Sequence, residues 1–219
     1  MIWTLPNILT IVRLLAAPAM GLVFAVLPRP SADWAALFLF IGASLTDYVD
    51  GHIARAWGQT TKLGTMLDPI ADKAMVVIAL MVLAAYSPLA VWIVLPAALI
   101  LFREVFVSGL REFLGDVAGT LKVTKLAKWK TASQMVAIAV LILHGIFEHH
   151  LGMSVFGMDQ DMVDAVMTGE EPDSFGLSWR VALVTWSEIA GLLLIWLAAL
   201  LTVITGWDYF SKARPHLKD

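Results

Sequence analysis

No cysteine occurs among the 219 residues, so neither a disulfide framework nor a thiolate metal site can be built. Charge is scarce too: Asp, Glu, Lys and Arg make up 15% of the chain against 59% hydrophobic residues, and mean hydropathy is +0.80. Those values lie outside the range of ordinary soluble domains. No phosphate-loop glycine motif, nucleophile elbow or zincin sequence is present, and no internal repeat or low-complexity tract interrupts the chain. A net charge of -3 gives no footing for nucleic acid, and none is expected as a partner.

What the chain has instead is long apolar runs. A spanning helix needs about 20 mostly apolar residues, and six stretches qualify, roughly 8–27, 34–54, 66–86, 88–108, 131–148 and 179–206. Pro28 to Ser31 separates the first from the second, Ser87-Pro88 the third from the fourth, and a basic connector at 111–130 the fourth from the fifth. The first run lies too close to Met1 for a basic leader region and lacks a small-residue cleavage site after it, so it reads as a retained helix. The expectation is an all-α, polytopic membrane protein, one domain over 1–219 with six transmembrane helices.

The few cations are unevenly placed. If six helices alternate, Arg13, Arg55, Lys62, Lys73, Arg103, Arg111, Lys122, Lys125, Lys128, Lys130, Lys212, Arg214 and Lys218 fall on one side, leaving Arg29 and Arg180 for the other. The positive-inside rule then puts both termini in the cytoplasm. Segment 149–178 carries Asp159, Asp161, Asp164, Glu170, Glu171 and Asp173 with no Lys or Arg, and reads as a solvated acidic outer loop. His144, His149 and His150 read as interfacial histidines, and tryptophans such as Trp3, Trp34, Trp92 and Trp179 as interfacial anchors.

Against this background the acids between Asp47 and Asp72 stand out. Asp47, Asp50 and Ala54 recur at i, i+3 and i+7, and Gly64, Asp68 and Asp72 at i, i+4 and i+8, so each set shares a helical face. A carboxylate at membrane depth costs several kcal/mol unless it is paired, hydrated or bound to a cation. Two acidic faces joined by the short segment 56–63 would repel unless divalent cations sat between them. Oxygen ligands without His or Cys favour Mg²⁺, Mn²⁺ or Ca²⁺, and two such ions about 3.5–4 Å apart are a common grip on a diphosphate. Gly51 leaves room for a ligand beside the backbone, Ala54 keeps the face open, and Arg55 can pair with phosphate.

The string Asp47-x2-Asp50-Gly51-x2-Ala54-Arg55-x8-Gly64-x3-Asp68-x3-Asp72 resembles, at every specified position, the signature of the CDP-alcohol phosphatidyltransferases. The resemblance implies a six-helix, usually dimeric membrane enzyme that moves a substituted phosphoryl group from a CDP-linked lipid to an alcohol and releases CMP. It implies two Mg²⁺ ions, with Mn²⁺ as the other option. Asp47 and Asp68 would be shared ligands, Asp50 would complete one site, and Asp72 would touch the second and serve as general base. Gly51, Ala54, Arg55, Thr61 and Gly64 would border the CDP-diacylglycerol, together with the Asn7 to Thr10 stretch that opens the first helix. The string Pro6-Asn7-Ile-Leu-Thr10-Ile-Val-Arg13 resembles the family's amphipathic entry into that helix. Arg13 by itself is weaker evidence, since a basic residue near a membrane end often just snorkels.

The strings Arg103-Glu104-Val-Phe-Val-Ser108-Gly109-Leu110-Arg111-Glu112 and Lys125-Leu-Ala-Lys128-Trp-Lys130 are similar to those of bacterial family members whose acceptor is glycerol 3-phosphate. The resemblance thus implies an inner-membrane enzyme with its site toward the cytoplasm. An acceptor carrying about two negative charges needs fixed cations, and Arg111, Lys128, Lys130 and Arg103 are the candidates. The same residues also read as a positive-inside loop, and Arg103 with Glu104 as a structural ion pair. Other readings are a different acceptor (inositol phosphate or serine) and, from another class, a cation or proton transporter. The bunching of the acids at one membrane face and the absence of broken inverted-repeat helices speak against the transporter.

Overall fold

Thr4 accepts a hydrogen bond from the Asn7 amide at 3.4 Å, and Pro6 sits in the first turn, where a missing N–H is no loss. From this cap, α1 runs over Leu5–Val26. Its buried face is Pro6, Asn7, Thr10, Arg13, Ala17 and Met20, while Leu15, Leu22 and Val26 are exposed. A helix with its polar residues turned inward and its leucines outward is built for a lipid surround. The computed structural model describes residues 4–56, 61–120 and 125–217, and the side chains of 48–56, 120, 125 and 128 lie outside that description.

The helices that follow are α2 (Ser31–Ala56), α3 (Lys62–Tyr86), α4 (Ala90–Leu114), α5 (Lys125–Ser154), α6 (Gln160–Thr168) and α7 (Leu177–Ala213), with short 3₁₀ segments at Gly115–Thr120 and Arg214–Leu217. No strand occurs among the described residues. Five segments there are long and apolar enough to cross a bilayer: Leu5–Val26, Lys62–Tyr86, Ala90–Gly119, Trp129–Ser154 and Leu177–Leu217. The remaining apolar run, 34–54, lies within the 26 residues of α2.

Two expectations from hydropathy change. The basic connector expected over 111–130 is much shorter: α4 continues through Arg111 until Gly115, whose φ of 52° suits a residue without a Cβ, and α5 begins at Lys125. Arg111, Lys128 and Lys130 are therefore helical positions; charged end turns lower hydropathy without breaking a helix. The acidic segment 149–178 is not all loop either, because Asp159 caps α6 by accepting from the Met162 amide at 2.9 Å and Gly169, at φ 83°, ends it.

The chain forms two compact units, residues 1–79 with 139–191, and residues 80–138 with 192–219. In the first, α1 packs on α2, and Ala17, Met20, Ala36, Phe40, Ala71, Met75 and Ile146 are buried. In the second, the core is Leu80, Leu83, Ile93, Ala97, Ile100, Ile138, Ile195 and Ala198. Alanines in both cores allow the close backbone approach on which packing between apolar helices depends.

Candidate active site

Three of the four signature aspartates have described side chains, and all three gather around one cation in the first unit. The Arg13 guanidinium donates through Nη1 to Asp47 Oδ1 of α2 and, at 2.5 Å, to Asp72 Oδ1 of α3, while its Nη2 lies 3.9 Å from Asp68 Oδ1. One turn earlier on α1, the Thr10 hydroxyl donates to Asp68 Oδ1 at 2.8 Å. The Arg13 side chain is 1% exposed, whereas Asp47, Asp68 and Asp72 are 47%, 48% and 52% exposed. The guanidinium thus holds the carboxylates from behind and leaves their other sides open.

A second contact ties the start of α3 to α1. Thr61 Oγ1 accepts from the Gly64 amide at 3.0 Å, capping α3, and donates to Asn7 Oδ1 at 2.8 Å. Gly64 is required by the close approach: a Cβ there would lie 2.7 Å from Asn7 Oδ1. Asn7, Thr10, Thr61 and Gly64, expected to border a CDP-linked lipid, are therefore brought together beside Asp68. The side chains of Asp50, Gly51, Ala54 and Arg55 lie outside the described residues.

Oxygen donors alone, half open to their surroundings, are the type of ligand set a hard divalent cation takes. Asp47 and Asp72 meet at a single point with Asp68 beside it. Among the described residues, no three His, Cys, Asp or Glu side chains converge closely enough to hold a metal ion by themselves. The guanidinium stands at the meeting point.

The second unit holds a cluster of opposite sign. Glu104 accepts from Arg103 Nη1 at 3.1 Å and from Lys130 Nζ, and the three side chains are largely buried. Gly206 of α7 makes room for the Arg103 stem, since a Cβ there would come within 2.8 Å of Arg103 Cγ. The exposed Arg111 lies over the Tyr209 ring at 5.2 Å. Lys128, the fourth acceptor candidate, has its side chain outside the described residues.

Sequence reasoning missed two of these roles. Arg13 is not a snorkelling cation but is buried among the acids, and the polar stripe Asn7, Thr10, Arg13 at i, i+3 and i+6 in an otherwise apolar helix was the available signal. Glu104 binds Lys130 as well as its neighbour Arg103, a pairing across 26 residues that no local pattern announces. His144 is likewise buried rather than interfacial, with Nδ1 3.1 Å from Ser187 Oγ.

Comparison with known proteins covers nearly the whole chain. A protein of Cereibacter sphaeroides, named CDP-diacylglycerol–glycerol-3-phosphate 3-phosphatidyltransferase, is 56% identical over 220 residues, covering 99% of this chain and 98% of that one. Proteins of the same name from Rickettsia bellii and Escherichia coli are 36% and 34% identical, over 97% and 99% of this chain and 96% and 98% of theirs. Residues 3–204 match the family described as CDP-alcohol phosphatidyltransferase. With three of its signature aspartates gathered beside α1 and that match spanning most of its length, the chain belongs to the CDP-alcohol phosphatidyltransferase family.

Proposed function

We propose that the protein transfers the phosphatidyl group of CDP-diacylglycerol to glycerol 3-phosphate, giving phosphatidylglycerophosphate and CMP. The observation that carries this reading is the 56% identity, end to end, with a relative named for that reaction. The convergence of Asp47, Asp68 and Asp72 on one point, with Thr10 and Asn7 beside them, supports it.

The 1-hydroxyl of glycerol 3-phosphate attacks the lipid-linked phosphorus in line; the new P–O bond forms as the bond to the CMP oxygen breaks. Asp72 takes the hydroxyl proton. Asp47, Asp50, Asp68 and Asp72 would hold two Mg²⁺ ions, or Mn²⁺, which when bound neutralise the diphosphate and the charge developing on it. Asn7, Thr10, Gly51, Ala54, Arg55, Thr61 and Gly64 border the CDP-lipid. Arg111, Lys128, Lys130 and Arg103 serve the acceptor phosphate, a set supported by the surplus of cations around Glu104. The setting is a homodimer with six spans and both termini inside, in a bacterial inner membrane, with its site facing the cytoplasm; the surplus of Lys and Arg at those loops supports the orientation.

The test is purified protein in lipid nanodiscs with CDP-diacylglycerol, Mg²⁺ and labelled glycerol 3-phosphate, with serine and inositol phosphate as rival acceptors. CMP release with label entering lipid only from glycerol 3-phosphate is the expected result. Label from another acceptor would move the protein within the family, and ion flux without CMP would make it a transporter.

A further inference from the structure

We infer that Arg13 is a resident counter-ion that stands in the cation position of the acidic cluster, so that its guanidinium and a divalent ion compete for Asp47 and Asp72. The inference rests on the divalent-ion reading given above and adds to it a residue on α1.

Geometry carries it. One nitrogen, Nη1, donates both to Asp47 Oδ1 and to Asp72 Oδ1, carboxylates that come from two different helices. A divalent ion held by these two carboxylates would need oxygens that the guanidinium already engages. Mg²⁺ holds its oxygens at about 2.0–2.1 Å, whereas a charge-assisted N–H···O contact spans about 2.7–2.9 Å, so one pair of oxygen lone pairs cannot serve both cations at one place. Burial sets the direction of exchange: the guanidinium is sealed on the α1 side at 1% exposure, and the carboxylates are about half open on the other. An ion reaches the acids without passing Arg13.

Charge supplies the drive. Among the described side chains, the three carboxylates Asp47, Asp68 and Asp72 share the single guanidinium of Arg13. A single delocalised charge keeps the acids together, but a compact divalent charge at shorter range relieves more of their repulsion. Thr10 keeps Asp68 in register through its 2.8 Å hydrogen bond, so the cluster does not depend on Arg13 alone for its shape.

The experiment is Mn²⁺ binding to the full chain in nanodiscs, followed by electron paramagnetic resonance of the free ion, together with thermal melting in chelator and in Mn²⁺. Arg13→Gln is expected to bind Mn²⁺ about tenfold more tightly than wild type, the factor that corresponds to losing a competing contact of about 1.4 kcal/mol. Its melting point in chelator should fall, and its rise on adding Mn²⁺ should exceed that of wild type. Arg13→Lys, which keeps the charge and loses the guanidinium fork, is expected to bind Mn²⁺ with intermediate affinity and covers the case in which the glutamine variant fails to fold. Unchanged or weaker binding in the variants overturns the competition while leaving the metal reading intact. No saturable binding in wild type or either variant overturns the metal reading itself.

Discussion

Two clusters of charge sit in two different units of this molecule, and they are out of balance in opposite directions. In the first unit three carboxylates share one guanidinium; in the second, two cations, Arg103 and Lys130, share one carboxylate, Glu104. Access differs as well. The aspartate side chains are about half exposed, whereas those of Arg103, Glu104 and Lys130 are 16%, 15% and 9% exposed. An open surplus of negative charge calls for a mobile cation. The cations of the closed triad already face an acid, whereas Arg111, over Tyr209, is an exposed cation of the second unit. Of the described acceptor candidates, Arg111 is the exposed one, and Arg103 and Lys130 are largely buried.

The largest test of this contrast removes charge without shape. Asp72→Asn keeps an oxygen that can accept from Arg13, so melting in chelator should move little. Loss of a general base should lower kcat by about 10²- to 10⁴-fold, measured as CMP release, with CDP-lipid binding partly kept. Unchanged turnover breaks the assignment. Next in size is Glu104→Gln, which leaves Arg103 and Lys130 facing each other in a largely buried place. Removing one partner of a buried pair costs about 3–5 kcal/mol, visible as a lower melting point in detergent. No change would show that the triad does not depend on its single acid.

Much of the acidic cluster was legible because helical spacing alone puts Asp68 and Asp72 on one face and turns Asp47 toward its own. All six apolar runs fall on helices to within two residues at their ends, since length and hydropathy are local properties. The inward turn of Arg13 was not legible. Which face of α1 packs inside depends on α2 and on the start of α3, and near a helix end a cation that snorkels and one that pairs have the same sequence. Lys130 was read from its sign as an acceptor ligand, yet its contact is an acid on another helix, a fact of packing rather than of pattern. The ends of α4 and α5 were misjudged for a related reason: hydropathy falls where charges begin, but the helix continues until Gly115 stops it.

A smaller test sharpens the sign of the imbalance. Asp68→Asn retains an acceptor for the Thr10 hydroxyl and removes one of the three like charges. In chelator the variant should be more stable than wild type by about 1 kcal/mol, the size of a repulsion between partly solvated charges. The same change in a compensated site would destabilise, so a fall in melting point would show that Arg13 already balances the acids.

The smallest effect belongs to a carboxylate outside both clusters. Asp173, just before α7, accepts from the amides of Leu177 at 2.6 Å and Ser178 at 3.0 Å and from the Ser178 hydroxyl at 2.8 Å. The Ser178 amide and then the Leu177 amide hold its carboxyl below the usual carboxylate range, and it is fully exposed. A carboxyl depressed in the folded state stabilises above its unfolded value of about 3.9 and loses that contribution as pH falls through the lower folded value. Protection of the Leu177 and Ser178 amides from hydrogen exchange, corrected for intrinsic rates, should therefore decline only at pH values below that range. In Asp173→Ala it should be weak at every pH, while global melting at neutral pH stays close to wild type. If melting fell as far as in Glu104→Gln, charge compensation would matter as much in water as in the buried triad, and the contrast between an open and a closed cluster would no longer hold.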